Sequence, residues 1–270
     1  MGATAPRTSG LAVPLLVLIS GIVATAGAFL GSGVIGGTPV AEAAGGWLNE
    51  DSTPLAPASG AFRIWSVIYL GLLAYSVWQL LPAQRRSGRQ RLLRPWAVAA
   101  MLLYAAWIWV VQFGWLILSL VVIVALLAVL GRILMLLVRS GPEGRADALI
   151  TDGTFGLYLG WVTIATVANT SAVLGAGGFD GFGLPVTVLS SVVLAVAAVI
   201  GVATAWRSGR IAPALALAWG LAWITVGRLD GGLESTGTAV AAGIAAAVVL
   251  VAAVVVRARA ARRMNAGDGR

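Results

Sequence analysis

An all-α integral membrane protein with eight transmembrane helices is what this sequence predicts, on three observations. The 270 residues are 59% hydrophobic and only 10% charged, with a mean hydropathy of +0.94, whereas about a quarter of residues are charged in a water-soluble domain. Eight apolar runs approach the ~20 helical residues needed to cross a hydrocarbon core about 30 Å thick. The arginines gather at alternate connections between those runs, as topology signals do.

The first run, residues 10–30, follows Arg7 and contains the small residues ATAGA, a pattern shared with cleavable signal peptides. Because the apolar stretch continues to Leu30 and the alternation of charge needs a crossing here, it is read as a retained helix. The connection from Gly31 to Gly60 is long and rich in Gly, Pro and small residues. Such a length is usually functional or disordered. Its functional reading is a lid; the alternative is that Glu50 and Asp51 only keep it outside.

Run two, 61–82, carries Phe62, Trp65 and Tyr69 along one stripe and is followed by Arg85, Arg86, Arg89, Arg91 and Arg94. Runs three (95–112) and four (115–138) are joined only by Phe113, Gly114 and Trp115, which requires a tight helical hairpin. Tyr104 and Trp107 lie three residues apart on run three, so they are neighbours on a helix surface. Arg132 is the charge deepest in run four; its stem can snorkel to the interface, with Asp152 as its expected partner. Arg139 and Arg145 follow.

Run five, 154–175, places Tyr158, Trp161, Ala165 and Asn169 at i, i+3, i+7 and i+11, one helix face. Gly156 and Gly160 form a GxxxG that marks close helix packing. Runs six (185–206), seven (211–228) and eight (237–256) are rich in Ala and Val, and Arg207, Arg210, Arg257, Arg259, Arg262 and Arg263 follow the even ones. Trp219 and Trp223 stand four apart on run seven, with nothing in the sequence to join them to the other aromatics. The remaining connections carry Glu42, Glu50, Asp51, Asp180, Asp230 and Glu234, with only Arg63 and Arg228 basic nearby. Both termini are therefore expected in the cytoplasm of a cell-membrane protein. Trp47, Trp96, Trp115 and Trp206, at run ends, are expected at headgroup level.

Absences narrow the chemistry. The chain has no Cys, His or Lys, which removes disulfides, thiolate and imidazole metal ligands, and Schiff-base chemistry. Ordinary acid and base catalysis is poorly supplied, because no acidic pair lies deep in a run. The sequence pI of 11.3 arises from topology signals, so nucleic acid is not an expected partner.

The segment PLAPASGAFRIWSVIYLGLLAYSVW resembles the second-helix signature of the tryptophan-rich sensory protein and translocator protein (TspO/MBR) family, with Pro57, Phe62, Trp65 and Tyr69 in the pattern. LYLGWVTIATVAN is similar to its fifth-helix motif through Tyr158, Trp161, Ala165 and Asn169. LLYAAW resembles the third-helix motif, with Trp107 retained and Tyr104 where the family usually has asparagine. The proline that usually precedes the fifth-helix tyrosine is absent, and three further helices follow. This resemblance covers about residues 10–177. It divides the chain into a TspO-like five-helix bundle (1–177) and a three-helix extension with a basic tail (178–270).

What the resemblance implies is a pocket beneath the first loop that binds porphyrins and other hydrophobic molecules, with roles in sensing, transport or tetrapyrrole handling. The candidate ligand-binding residues are Phe62, Trp65, Tyr69, Tyr104, Trp107, Tyr158, Trp161, Ala165 and Asn169; the competing reading makes them core aromatics that fill gaps. No cofactor is required, a bound porphyrin being an option that the resemblance allows, and no metal or catalytic residue is assigned. The expected partners are a hydrophobic small molecule and the lipid bilayer, with a homodimer as one option for self-association. A non-enzymatic receptor or carrier for a planar ligand leads, a transporter or exporter of hydrophobic compounds is the alternative, and a tetrapyrrole-modifying enzyme ranks third.

Overall fold

The computed structural model describes residues 10–31, 33, 37–230 and 232–267. Arg7 and the side chain of Arg263, which figure in the arginine pattern, lie outside the described residues. The described residues form eight long helices: α1 (Ala12–Gly31), α2 (Ile64–Trp78, preceded by a 3-10 turn Ser59–Arg63), α3 (Gly88–Gln112), α4 (Leu116–Ser140), α5 (Thr154–Ala176), α6 (Val186–Ser208), α7 (Ala212–Leu229) and α8 (Thr236–Gly267). Taking α2 with its 3-10 turn, all eight are long and apolar enough to cross a membrane. Among the described residues there is no strand. This is a multi-pass, all-α membrane protein.

In space the helices do not follow chain order. α1 packs on α3, the α3–α4 hairpin sets α4 against α5, α5 packs on α7, and α7 and α6 both lie on α8. α2 rests on α1 and α5. Two apolar cores result, one mainly among α1–α5 with Ala216 of α7 joining it and one mainly among α5–α8 with Leu55 of the first connection, and α5 contributes Trp161 to the first and Ile164 to the second. Outward-facing side chains such as Leu70, Ile117, Val199 and Val254 are more than two-thirds exposed, as a lipid-facing surface requires. The hairpin turns at Gly114, whose φ of +74° is a conformation that only glycine adopts freely.

The α5–α7 contact is made by backbone. A Cβ built on Gly160 would stand 2.1 Å from the Pro213 carbonyl oxygen, and one on Gly156 2.7 Å from Ala212 Cβ. Both glycines of the GxxxG thus lie flush against the first turns of α7, an approach that small residues alone permit.

At the end of the molecule that carries the arginine clusters, the polar residues form a buried network. α3 begins seven residues before the expected position, because the Ser87 hydroxyl caps it by accepting from the Gln90 N–H at 3.1 Å. Arg89 and Arg94 are thereby drawn inside, at 4% and 1% exposure, where the sequence reading made them topology signals. Arg89 is salt-bridged to both Asp147 and Asp152, and Arg210 reaches Asp152 at 3.0 Å. Arg94 donates to Gln79 (2.8 Å), Gln79 to Gln90 (2.9 Å) and Gln90 to Asp147 (2.9 Å). The expected Arg132–Asp152 pair does not form; the Arg132 guanidinium lies over the Trp96 ring, 5.6 Å from its centre.

A π-helical turn, Ala148–Gly153, explains why Asp147 and Asp152 share a partner. At 3.6 residues per turn, positions five apart in an α-helix point about 140° away from each other. In a turn bonded from i to i+5 they come round toward one face. The widened turn therefore aims both carboxylates at Arg89.

Removing one partner from a buried ion pair costs on the order of 3–5 kcal/mol, whereas an arginine over an aromatic ring near an interface contributes about 1 kcal/mol. Asp147→Ala is therefore expected to lower the apparent melting temperature in detergent far more than Arg132→Gln, as read by tryptophan fluorescence. Equal shifts would refute the assignment of Arg89 as the centre of this end.

Candidate functional site

The site is built outward from the turn that leads into α2. Residues before it run along α7: the Ala58 N–H donates to the Trp223 carbonyl at 3.1 Å, and Trp219 Nε1 donates to the Ala61 carbonyl at 2.9 Å. Gly60 lies flat on the Trp223 indole, where a Cβ would stand 2.1 Å from the ring. This docking sets the rotation of α2 and turns Trp65 inward. Trp219 and Trp223, left unassigned on sequence grounds, thus hold the α2 start by side chain and backbone.

Trp65 is the hub. Its ring stacks on Tyr69 (centroids 5.1 Å apart, 12° between planes), lies 4.6 Å from Tyr104, and meets Tyr158 and Trp161 edge-on at 5.8 and 6.1 Å. Phe62 meets Trp161 edge-on at 5.6 Å, and Tyr104 continues to Trp107 at 6.5 Å. Rings from α3 and α5 and from the α2 segment therefore converge, as the shared-face spacings required. Ala165 is half-buried against the same core.

Most polar tips inside the cluster are paired. The Tyr69 and Tyr104 hydroxyls hydrogen-bond to each other, and the Tyr158 hydroxyl donates to the Ala100 carbonyl at 3.3 Å. Asn169, 1% exposed, donates to Ser119 Oγ at 3.0 Å and accepts from Trp107 Nε1 at 3.4 Å. Sequence reasoning missed Ser119; its signal was a lone hydroxyl in the otherwise apolar LILSLVV of α4. Trp161 Nε1 is the exception: it is buried and has no hydrogen-bond partner.

An open chamber is not what these rings enclose. A planar molecule sandwiched between two rings needs them roughly 7 Å apart, twice the ~3.5–4 Å of a carbon contact. The Trp65 stacking partner is nearer than that. The residues point inward as expected, and they fill the space with their own side chains. The rim is at α2, where Phe62 is 39% exposed and Trp65 and Tyr69 are half-buried. Elsewhere a groove of about 650 Å³ lies beside Trp115, Ile117, Val121 and Val173, and a crevice of about 250 Å³ separates Leu134, Thr163, Thr204 and Leu217.

The first connection crosses the end of the bundle above the rings. The Thr38 N–H donates to Gln112 Oε1 at 3.0 Å and the Gln112 amide donates back to the Thr38 carbonyl at 2.6 Å, tying the connection to α3. Trp47, half-buried, packs against Gly175 at the end of α5 and joins the connection to the bundle. Trp115 and Trp206 remain more than half exposed. Arg228 on α7, fully buried, donates to the carbonyls of Glu50 (2.5 Å) and Thr53 (3.3 Å). Among the described residues no group of three or more His, Cys, Asp or Glu is placed to hold a metal ion.

Comparison with known proteins gives one finding of identity. A family model described as TSPO-like protein matches residues 15–256, a stretch that reaches into all eight helices. No curated protein and no solved structure gives a match.

Trp65→Ala deletes the ring that touches four others and is expected to destabilise the protein by on the order of 2–4 kcal/mol, the packing part of a large-to-small core change. Near-UV circular dichroism should lose most of its aromatic signal. Trp115→Ala, at the exposed hairpin, is expected to change stability by under about 1 kcal/mol. Comparable losses in the two variants would remove Trp65 from the centre of the cluster.

Proposed function

We propose, for a chain that belongs to the TSPO-like protein family, that it is a membrane receptor or carrier for a planar hydrophobic ligand of the porphyrin or wider tetrapyrrole class. The place of binding is the Trp65 cluster between α2, α3 and α5. One observation carries this reading: aromatic faces from separate elements meet around a buried indole N–H, that of Trp161, which has no partner within the protein. A buried donor left unpaired costs about 1–3 kcal/mol. A ligand that brings an acceptor removes that cost.

Binding on this reading exchanges ring–ring contacts for ring–ligand contacts. Faces of the ligand lie against Trp65 and Trp161, while its polar edge meets Trp161 Nε1 and the Tyr69–Tyr104 hydroxyl pair. α2 is the element that yields, since it carries the rim. The cap over the bundle end faces outward from a cell membrane and both chain termini face the cytoplasm, a disposition supported by the arginines at the opposite end.

The measurement is a titration of a porphyrin series into purified protein in nanodiscs, followed by tryptophan quenching. Saturable quenching is expected, weakened about tenfold in Trp161→Phe, the effect of one hydrogen bond of about 1.4 kcal/mol. Quenching that never saturates, or that is identical in the variant, would defeat the reading.

A further inference from the structure

The last three helices carry no ring of the cluster, yet α7 touches the first connection along most of its second half. From the centre of α7 outward, Trp219 Nε1 holds the Ala61 carbonyl, the Trp223 carbonyl holds the Ala58 N–H, and the Trp223 ring supports Gly60. Gly227 lies flush with Ala58, and Arg228 holds the carbonyls of Glu50 and Thr53. Beyond the helix the Gly232 N–H donates to Asp51 Oδ1 at 2.9 Å. This is a continuous seam. At the other edge of the cap, the polar tie to α3 among the described residues is an exposed amide pair, Thr38 with Gln112.

Arg228 is unusual within the seam. Its guanidinium is fully buried and is met by two backbone carbonyls, neither partner being a carboxylate, while Nε has no hydrogen-bond partner and the neighbouring Thr53 hydroxyl has none either. A buried cation satisfied only in part is held at a cost. Such a contact has little reserve.

We propose that α7 is a latch built into the chain: Arg228 holds residues 50–61 down on α7, and release at this seam is what frees the cap and the α2 start that carries Phe62 and Trp65. The three C-terminal helices thereby serve as a permanent partner that keeps the aromatic cluster closed. The consequence for ligand access rests on the reading of the site given above; the latch itself does not.

Hydrogen–deuterium exchange in nanodiscs tests the latch without any ligand, so a protein that binds no porphyrin still decides it. Arg228→Met keeps the length of the stem and removes the donors; exchange over residues 50–61 is expected to rise about tenfold, with α4 and α6 unchanged. Unchanged exchange, or a rise by the same factor throughout the chain, overturns the proposal. A second variant uses the absence of cysteine from the sequence. A Cβ built on Gly227 lies 3.4 Å from Ala58 Cβ, near the ~3.5–4.5 Å that disulfides span, so Ala58→Cys with Gly227→Cys can be closed and reopened. The oxidised form is expected to exchange more slowly over residues 50–61 than the reduced form, and to restore protection when combined with Arg228→Met. Equal rates in the oxidised and reduced forms overturn it.

Discussion

The approach of α5 to α7 at Gly160 is the constraint from which the rest of the structure follows. With a Cβ position only 2.1 Å from the Pro213 carbonyl, the two backbones meet directly, and no side chain can act as a spacer. α7 is thereby fixed beside α5, the residues before α2 find Trp219 and Trp223 to dock against, and Trp65 is turned onto Trp161. Because lipid tails are as apolar as leucine, close van der Waals fit of this kind is what associates helices in a bilayer. The aromatic cluster is in that sense a product of glycines on the far side of α5.

Polar groups impose the second condition, since hydrocarbon offers them no water. At the arginine-rich end Arg89, Arg94, Gln79, Gln90, Asp147 and Asp152 bond to one another, while the Tyr75 hydroxyl and Arg210 Nε are buried without a hydrogen-bond partner. At the cap end the condition is likewise met incompletely, and the unpaired atoms belong to Thr53, Trp161 and Arg228. Buried atoms without a partner thus remain toward both ends of the helices.

Much of this was legible in the sequence, for identifiable reasons. Run length and arginine alternation located all eight helices, because hydrocarbon thickness and the cost of charge act on composition directly. The i, i+3, i+7, i+11 spacing of Tyr158, Trp161, Ala165 and Asn169 placed them on one face, because a regular helix has a fixed period. Where the period changes, the reading failed: Asp152 was paired with Arg132 because a π-helical turn leaves no mark in the residue pattern. Long-range matters were equally hidden. That Trp219 holds Ala61, or that Ser119 meets Asn169, depends on how helices pack and not on how they are spaced along the chain. Periodicity also tells which way a ring points without telling whether the space before it is empty, and here the rings themselves occupy it.

The π-helical turn at Ala148–Gly153 couples two places that otherwise look independent. α5 leaves that turn with its azimuth already set by the carboxylates seated on Arg89, so the direction in which Tyr158 and Trp161 face is geared to the charge arrangement two turns away. A π-helical turn takes up one residue more than an ordinary turn over nearly the same rotation, so shortening the stretch by one residue would restore an ordinary helix and leave the aromatic stripe facing nearly the same way. The loss of one residue is absorbed within the turn, whereas the same change nearer Tyr158 would rotate the stripe by about 100°; the segment therefore acts as the slip joint of the bundle.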